Sequence, residues 1–180
     1  MKNIYNILII LMLTTISCKA QEINYLTKAE YDAIFIDGIN WDAVRETKGD
    51  IVKMKALFGA TLNFKTGTEP SLNVGFWDRG FDFEFEDRSD IGTNYSLVNI
   101  MIDNNQSNFT IKGITITIGD DISKLGLVKI NIDKDGKKGI IFDSVEPSDS
   151  AIFIEFDQIT NKFNQVVSNI ITSIEYVVFD

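Results

Sequence analysis

Along residues 81–86 apolar and acidic positions alternate without a break. Phe81, Phe83 and Phe85 take one parity, and Asp82, Glu84 and Glu86 take the other. Successive side chains of a strand point to opposite faces, so this pattern predicts a strand with a dry aromatic face and a wet acidic one. The segment before it behaves alike, with Leu72, Val74 and Phe76 in one phase and Asn73, Gly75 and Trp77 in the other. The same period predicts strands over 95–102, 114–118, 127–133, 138–143, 151–157 and 170–179. Turn residues separate most of them: Asp78-Arg79-Gly80, Asn104-Asn105, Asp135-Gly136 and Pro147-Ser148-Asp149. Helical spacing is confined to two places. Thr27 and Glu30 form a capping-box pattern, which predicts a short helix over 28–34. Asp50, the run Ile51 to Phe58, and Gly59 supply a start residue, an apolar stripe and a stop. The expected fold class is α+β: a mostly antiparallel sheet with one or two short helices packed on it.

Two segments look alike. "GDIVKMKALFG" at 49–59 and "GDDISKLG" at 119–126 share Gly-Asp, then an Ile, a Lys and a Leu before a closing glycine. Their spacing admits two tandem helix-plus-sheet units, 25–104 and 105–180, or one continuous domain over 25–180. With glycines opening and closing each segment, the outline resembles β-lactamase-inhibitor-protein-like units and the small lipoproteins of outer-membrane protein assembly. The resemblance implies a helical segment lying on a short sheet. It carries over no residue of a particular activity.

The first residues follow a different rule. Lys2 gives a basic start, Ile4 to Ile16 is predominantly apolar, and Ser17-Cys18 closes the run. That length is too short to span a bilayer and has the anatomy of a signal peptide over 1–17. The ending "TTISCKAQ" resembles a bacterial lipoprotein cleavage site, and the "CKAQ" sequel resembles lipoproteins of the Bacteroidota. The resemblance implies lipidation of Cys18, a tether over 18–24, and attachment to the outer membrane. Surface-exported lipoproteins of that group carry an acidic run after the cysteine, and none follows Cys18 here, so the expected orientation faces the periplasm. Two or more acyl chains hold a protein on a membrane durably, where one is marginal.

Charge and absences narrow the chemistry. The chain has 26 acidic residues against 17 basic ones, a net charge of −9. This argues against nucleic acid as a partner and favours a basic protein. There is no histidine, and Cys18 is the one cysteine. A Ser-His-Asp triad, a Cys-His pair and a His-ligated zinc are therefore excluded. Neither a Walker A loop nor a Rossmann glycine fingerprint occurs, and no cofactor is expected. In "NIDKDGKKGIIF", Asn131, Asp133, Asp135 and Gly136 fit the first positions of a calcium loop, but Phe142 stands where the bidentate Glu belongs. The alternation on either side predicts a hairpin there instead, with no metal.

The acidic strand admits several readings. Alternate residues of a strand lie about 6.5–7 Å apart on one face. Two carboxylates at that distance fall within the range used by glycoside hydrolases. The D-x-E-x-E spacing of Asp82, Glu84 and Glu86 also resembles the E-x-D-x-E core of one β-sandwich glycosidase family, with the chemical types exchanged. Catalysis requires that one carboxyl be kept protonated by an apolar setting, and the sequence displays no such difference between them. The favoured reading is a non-enzymatic surface in which Trp77, Asp82, Glu84 and Glu86 meet a basic protein, in an inhibitor, immunity-type or assembly role. A small-molecule or glycan-binding site with aromatics lining a concave sheet is the alternative, and a carboxylate-based glycosidase the third. The plain alternative to all three is the wet side of an ordinary half-buried strand.

The anchor is directly testable. Cys18→Ala should move the protein from the membrane fraction to the soluble fraction on centrifugation. Retention of the variant in the membrane fraction would contradict lipid anchoring.

Overall fold

The computed structural model describes residues 24–67, 73–87, 95–144 and 150–178. Thirteen strands are described: β1 (Tyr25–Leu26), β2 (Phe35–Ile36), β3 (Ile39–Asn40), β4 (Asn63–Thr66), β5 (Asn73–Asp78), β6 (Phe81–Asp87), β7 (Tyr95–Ile102), β8 (Phe109–Ile111), β9 (Ile114–Ile116), β10 (Asn131–Ile132), β11 (Lys138–Ser144), β12 (Ser150–Thr160) and β13 (Val166–Val178). Three short helices join them: α1 (Lys28–Asp32), α2 (Trp41–Glu46) and α3 (Ile51–Phe58). The expected α+β, mostly antiparallel class is what forms.

The helix starts follow local chemistry. The Thr27 hydroxyl accepts from Glu30 N at 3.3 Å, while a Glu30 carboxylate oxygen accepts from Thr27 N at 2.9 Å. That reciprocal box opens α1. Asp50 caps α3 by accepting from Lys53 N at 2.9 Å, and Gly59 closes it with φ at 106°. Helix α2 was not visible in the periodicity. Its cap is Asn40, whose side chain accepts from Asp42 N at 2.8 Å.

Nine strands form one sheet, in the order β1-β11-β12-β13-β7-β6-β5-β4, with β10 attached to β11. Only the β1–β11 pair is parallel among them. A second sheet has the order β3-β2-β8-β9. Each sheet takes strands from both sides of residues 104 and 105, so the boundary expected there does not separate two sheets. The two look-alike segments also fold differently. Residues 49–59 contain the helix α3, whereas 119–126 contain only a four-residue 3-10 turn, Ile122–Leu125. Asp121 fixes that turn: it accepts from Ser123 N, from the Ser168 hydroxyl at 2.6 Å and from Asn169 N at 3.0 Å. These donors, Ser168 first, hold its carboxyl below the usual carboxylate range.

One expected strand is mostly absent. Of 127–133 only Asn131–Ile132 is strand. Lys129 instead meets the Asn24 side chain, its N–H donating to Oδ1 at 2.8 Å and its carbonyl accepting from Nδ2 at 2.7 Å. A side-chain amide thus takes the place of a neighbouring strand at that residue.

The core lies between one face of the large sheet and the helices with the small sheet. Phe76, Phe81, Phe83, Phe85, Ile100, Ile102, Ile154, Ile174 and Tyr176 line the inner face, all buried. Phe58 of α3 packs on Phe81 and Phe83 with ring centroids 4.9 and 5.1 Å apart. Trp41 of α2 meets Tyr176 edge-on at 4.8 Å, and the Tyr31 hydroxyl lies 3.2 Å from that of Tyr176. Burial, and then Tyr176, push the Tyr31 phenol up. The Gly-Asp turn before α3 has a packing role: Gly49 has φ at +69°, and a Cβ there would come within 3.2 Å of Phe85 Cβ.

The alternation has an energetic consequence. Phe83 is 1% exposed, so Phe83→Ala should cost about 3–5 kcal/mol in urea unfolding. Its neighbour Glu84→Ala, on the wet face, should stay within about 0.5 kcal/mol of the parent.

Candidate functional site

The site is a groove on the outer face of the large sheet, built by β4 to β7. The β5–β6 hairpin turns through Arg79 and Gly80, both at positive φ. A Cβ on Gly80 would fall 1.9 Å from Asn104 Oδ1, so that position excludes any other residue without rearrangement. The hairpin register sets Trp77 opposite Asp82, Gly75 opposite Glu84, and Asn73 opposite Glu86. On the next strand Asp82 faces Met101 and Glu84 faces Asn99. Strand β4 completes the surface, placing Asn63 beside Trp77 and Lys65 beside Gly75.

Two rows therefore cross the sheet side by side. One reads Asn63, Trp77, Asp82, Met101, Glu175; the other reads Lys65, Gly75, Glu84, Asn99, Val177. Gly75 has no side chain, so the second row has a gap beside the Trp77 ring. The gap widens into a groove of about 430 Å³ lined by Lys65, Asn73, Trp77, Asp82, Glu84, Asn99 and Met101, among others. Trp77 is 41% exposed there.

A bulge in β7 lies next to the groove. Between Asn99 and Leu97 the pairing with β6 slips by one residue, leaving Val98 extra. Leu97 and Ile100 can then both be buried, while Asn99, ahead of the slip, keeps the regular register opposite Glu84.

The electrostatics of the acids differ. Burial, and then the charge of Asp103, push the Asp82 carboxyl above its ordinary range. Glu84 accepts a hydrogen bond from Asn73 Nδ2 at 2.9 Å. The Asn99 side-chain oxygen is shielded from solvent and has no hydrogen-bond partner among the described residues. The Asp82 and Glu84 carboxylates thus share one groove with the Trp77 ring, with Lys65 as a donor in the same lining.

Of the residues singled out from sequence, Trp77, Asp82 and Glu84 share this groove. Glu86 lies on the same face but one row further on, opposite Asn73 and Ser96, outside the groove lining. Cys18 lies outside the described residues. Sequence reasoning missed Lys65, Asn99 and Met101. Gly75 was placed on the correct face, yet nothing in the local pattern marked it as the floor of a groove. Lys65 lies on β4, a strand that the alternation did not mark, and the pairing of Asn99 with Glu84 is a register that short-range alternation does not encode.

A second depression of about 500 Å³ borders the β10–β11 hairpin, where Asp135, Lys137, Lys138, Glu155 and Asp157 mix both signs of charge. It has no exposed aromatic in its lining beyond the edge of Phe156, a buried residue. At the hairpin tip the Asp133 carboxylate accepts from Asp135 N and Lys137 N, the geometry of a turn held by its own side chain. Among the described residues, no group of three or more acidic or cysteine side chains is arranged to hold a metal. No helix there is long and apolar enough to cross a membrane.

Comparison with protein-family models, curated proteins and solved structures finds no match to this chain.

The raised Asp82 titration has a definite sign. A carboxyl whose folded value lies above its unfolded one binds its proton more tightly when folded. Stability therefore falls as pH rises from the ordinary value of about 3.9 through the folded value. Asp82→Asn should raise the urea midpoint at neutral pH, and the gain should vanish by about pH 3, where the native carboxyl is protonated in both states. A gain that persists unchanged at low pH would contradict the assignment.

Proposed function

We propose that this protein is a non-enzymatic binding module, carried by a lipidated Cys18 on the periplasmic side of the outer membrane, that docks a basic protein on the acidic outer face of its large sheet. Its role in that reading is that of an inhibitor, an immunity-type factor or an assembly accessory. The observation that carries the reading is the exposed Trp77 sharing one open groove with Asp82 and Glu84. An aromatic anchor beside two carboxylates combines contact area with charge steering, and a chain of net charge −9 extends the same field.

Asp82 and Glu84 project from the same side of a single strand. A glycan is the second reading, favoured by the mixture of Lys65, Asn73 and Asn99 around the Trp77 ring.

Combined reversal of Asp82, Glu84 and Glu86 to Lys should reduce capture of positively charged envelope proteins by about ten-fold or more, and added salt should reduce capture by the parent. The measurement is affinity capture followed by identification of the bound proteins. Equal recovery by the parent and the reversed variant would reduce the acidic face to a solvated surface.

A further inference from the structure

The groove is better specified than the acidic face around it. Asp82 lies across from Trp77 on the neighbouring strand, and Glu84 lies across from Gly75. Directly opposed residues have Cβ atoms about 4.5–5.5 Å apart. A group resting on the Trp77 ring over the gap at Gly75 is therefore within reach of both carboxylates. Such a group must be flat to use the ring, and rich in hydrogen-bond donors to use the acceptors.

Acceptors dominate the lining. The exposed acceptors there are the Asp82 and Glu84 carboxylates, while the Asn99 side-chain oxygen is shielded from solvent. Beyond the groove, Asp103 already acts on Asp82, and Glu175 follows Met101 in the same row. A cation relieves this crowding of negative charge.

We infer that the groove between Trp77, Asp82 and Glu84 is a socket for the guanidinium of an arginine side chain on the docked partner. An ammonium satisfies the charge but not the shape. Guanidinium is planar, stacks on an aromatic face, and offers five donors in a fixed fork that suits two carboxylates at once. The open gap at Gly75 admits the plane of the group beside the indole. Lys65 then has a clear part: it is the resident cation at the rim, and it competes with the incoming charge. This socket rests on the docking reading above and specifies the group that the face recognises.

Lys65 gives the test a sign. Were the groove to hold a glycan or an anion, Lys65 would donate to the ligand, and its removal would weaken binding. For an arginine side chain its removal strengthens binding. The experiment titrates the full chain with N-acetyl-arginine amide, N-acetyl-lysine amide and a neutral trisaccharide, following the two indole N–H resonances and the amides of Gly75 and Glu84. Trp41 is fully buried and serves as an internal reference, whereas Trp77 is 41% exposed.

The arginine amide should shift Trp77 and leave Trp41 in place, and should bind about three-fold or more tightly than the lysine amide. Asp82→Asn, which keeps the size of the side chain, should weaken it by about ten-fold. Lys65→Ala should tighten it by about two-fold. Equal binding of the arginine and lysine amides, preferential binding of the trisaccharide, or weaker arginine binding in Lys65→Ala would each overturn the socket. If the arginine response is missing while protein capture remains sensitive to salt and to charge reversal, the socket alone falls. If both are missing, the docking face falls with it.

Discussion

The packing of Phe76, Phe81, Phe83 and Phe85 on one side of the β5–β6 hairpin is the contact on which the rest of the molecule depends. A strand has two faces, and in this chain only one of them can be dried, because the other carries Asp82, Glu84 and Glu86. The rings therefore demand a cover. Helix α3 supplies it with Phe58, and the turn before it comes close because residue 49 is a glycine. The remaining inner-face residues extend that dry layer along β7, β13, β12 and β11, until Trp41 and Tyr31 close it over Tyr176. Burying a side chain of this size is worth about 1.5–3 kcal/mol, so a handful of phenylalanines outweighs any single polar contact in the fold.

What is left on the other side of the sheet is a consequence of the same alternation. Every residue placed inward by the pleat sends its neighbour outward, so Trp77 follows Phe76 out and Asp82 and Glu84 flank Phe83. The outer face is not uniform, however. Gly75 leaves one position empty beside Trp77, and the regular register of β7 sets Asn99 against Glu84. The missing side chain opens a groove in a wetted sheet, with an aromatic wall and two carboxylates beside it.

Several elements were legible from local pattern. The phase of β5 and β6, the capping box at Thr27, and the helix between Asp50 and Gly59 all follow from contacts within a few residues, and each forms where the pattern places it. Of the small sheet, β9 forms within the expected strand 114–118, but the β2–β3 hairpin went unread, although Asp37-Gly38 between Phe35-Ile36 and Ile39-Asn40 is a hairpin signal of the ordinary kind. Strands β2 and β3 are two residues long, too short for an alternation to register. Segment 127–133 misled in the opposite way. Its apolar residues alternate, yet Leu127, Ile130 and Ile132 are exposed, and the backbone at Lys129 is satisfied by Asn24 instead of by a strand. Asn24 lies 105 residues away, beyond the reach of any local rule.

The sequence by itself determined the strand period, the inward and outward sets of β5 and β6, and the helix caps at Thr27 and Asp50. These depend on residue type and on neighbours along the chain. Tertiary structure alone decided that β4 and β7 flank the β5–β6 hairpin. That choice placed Lys65 and Asn99 on either side of Gly75 and Glu84, and Asp103 close enough to act on Asp82. Strand pairing across a sheet is fixed by which apolar faces close one common core, and a period of two is identical for every candidate neighbour. Alternation therefore marked out the acidic stripe, and the assembled sheet made a groove of part of it.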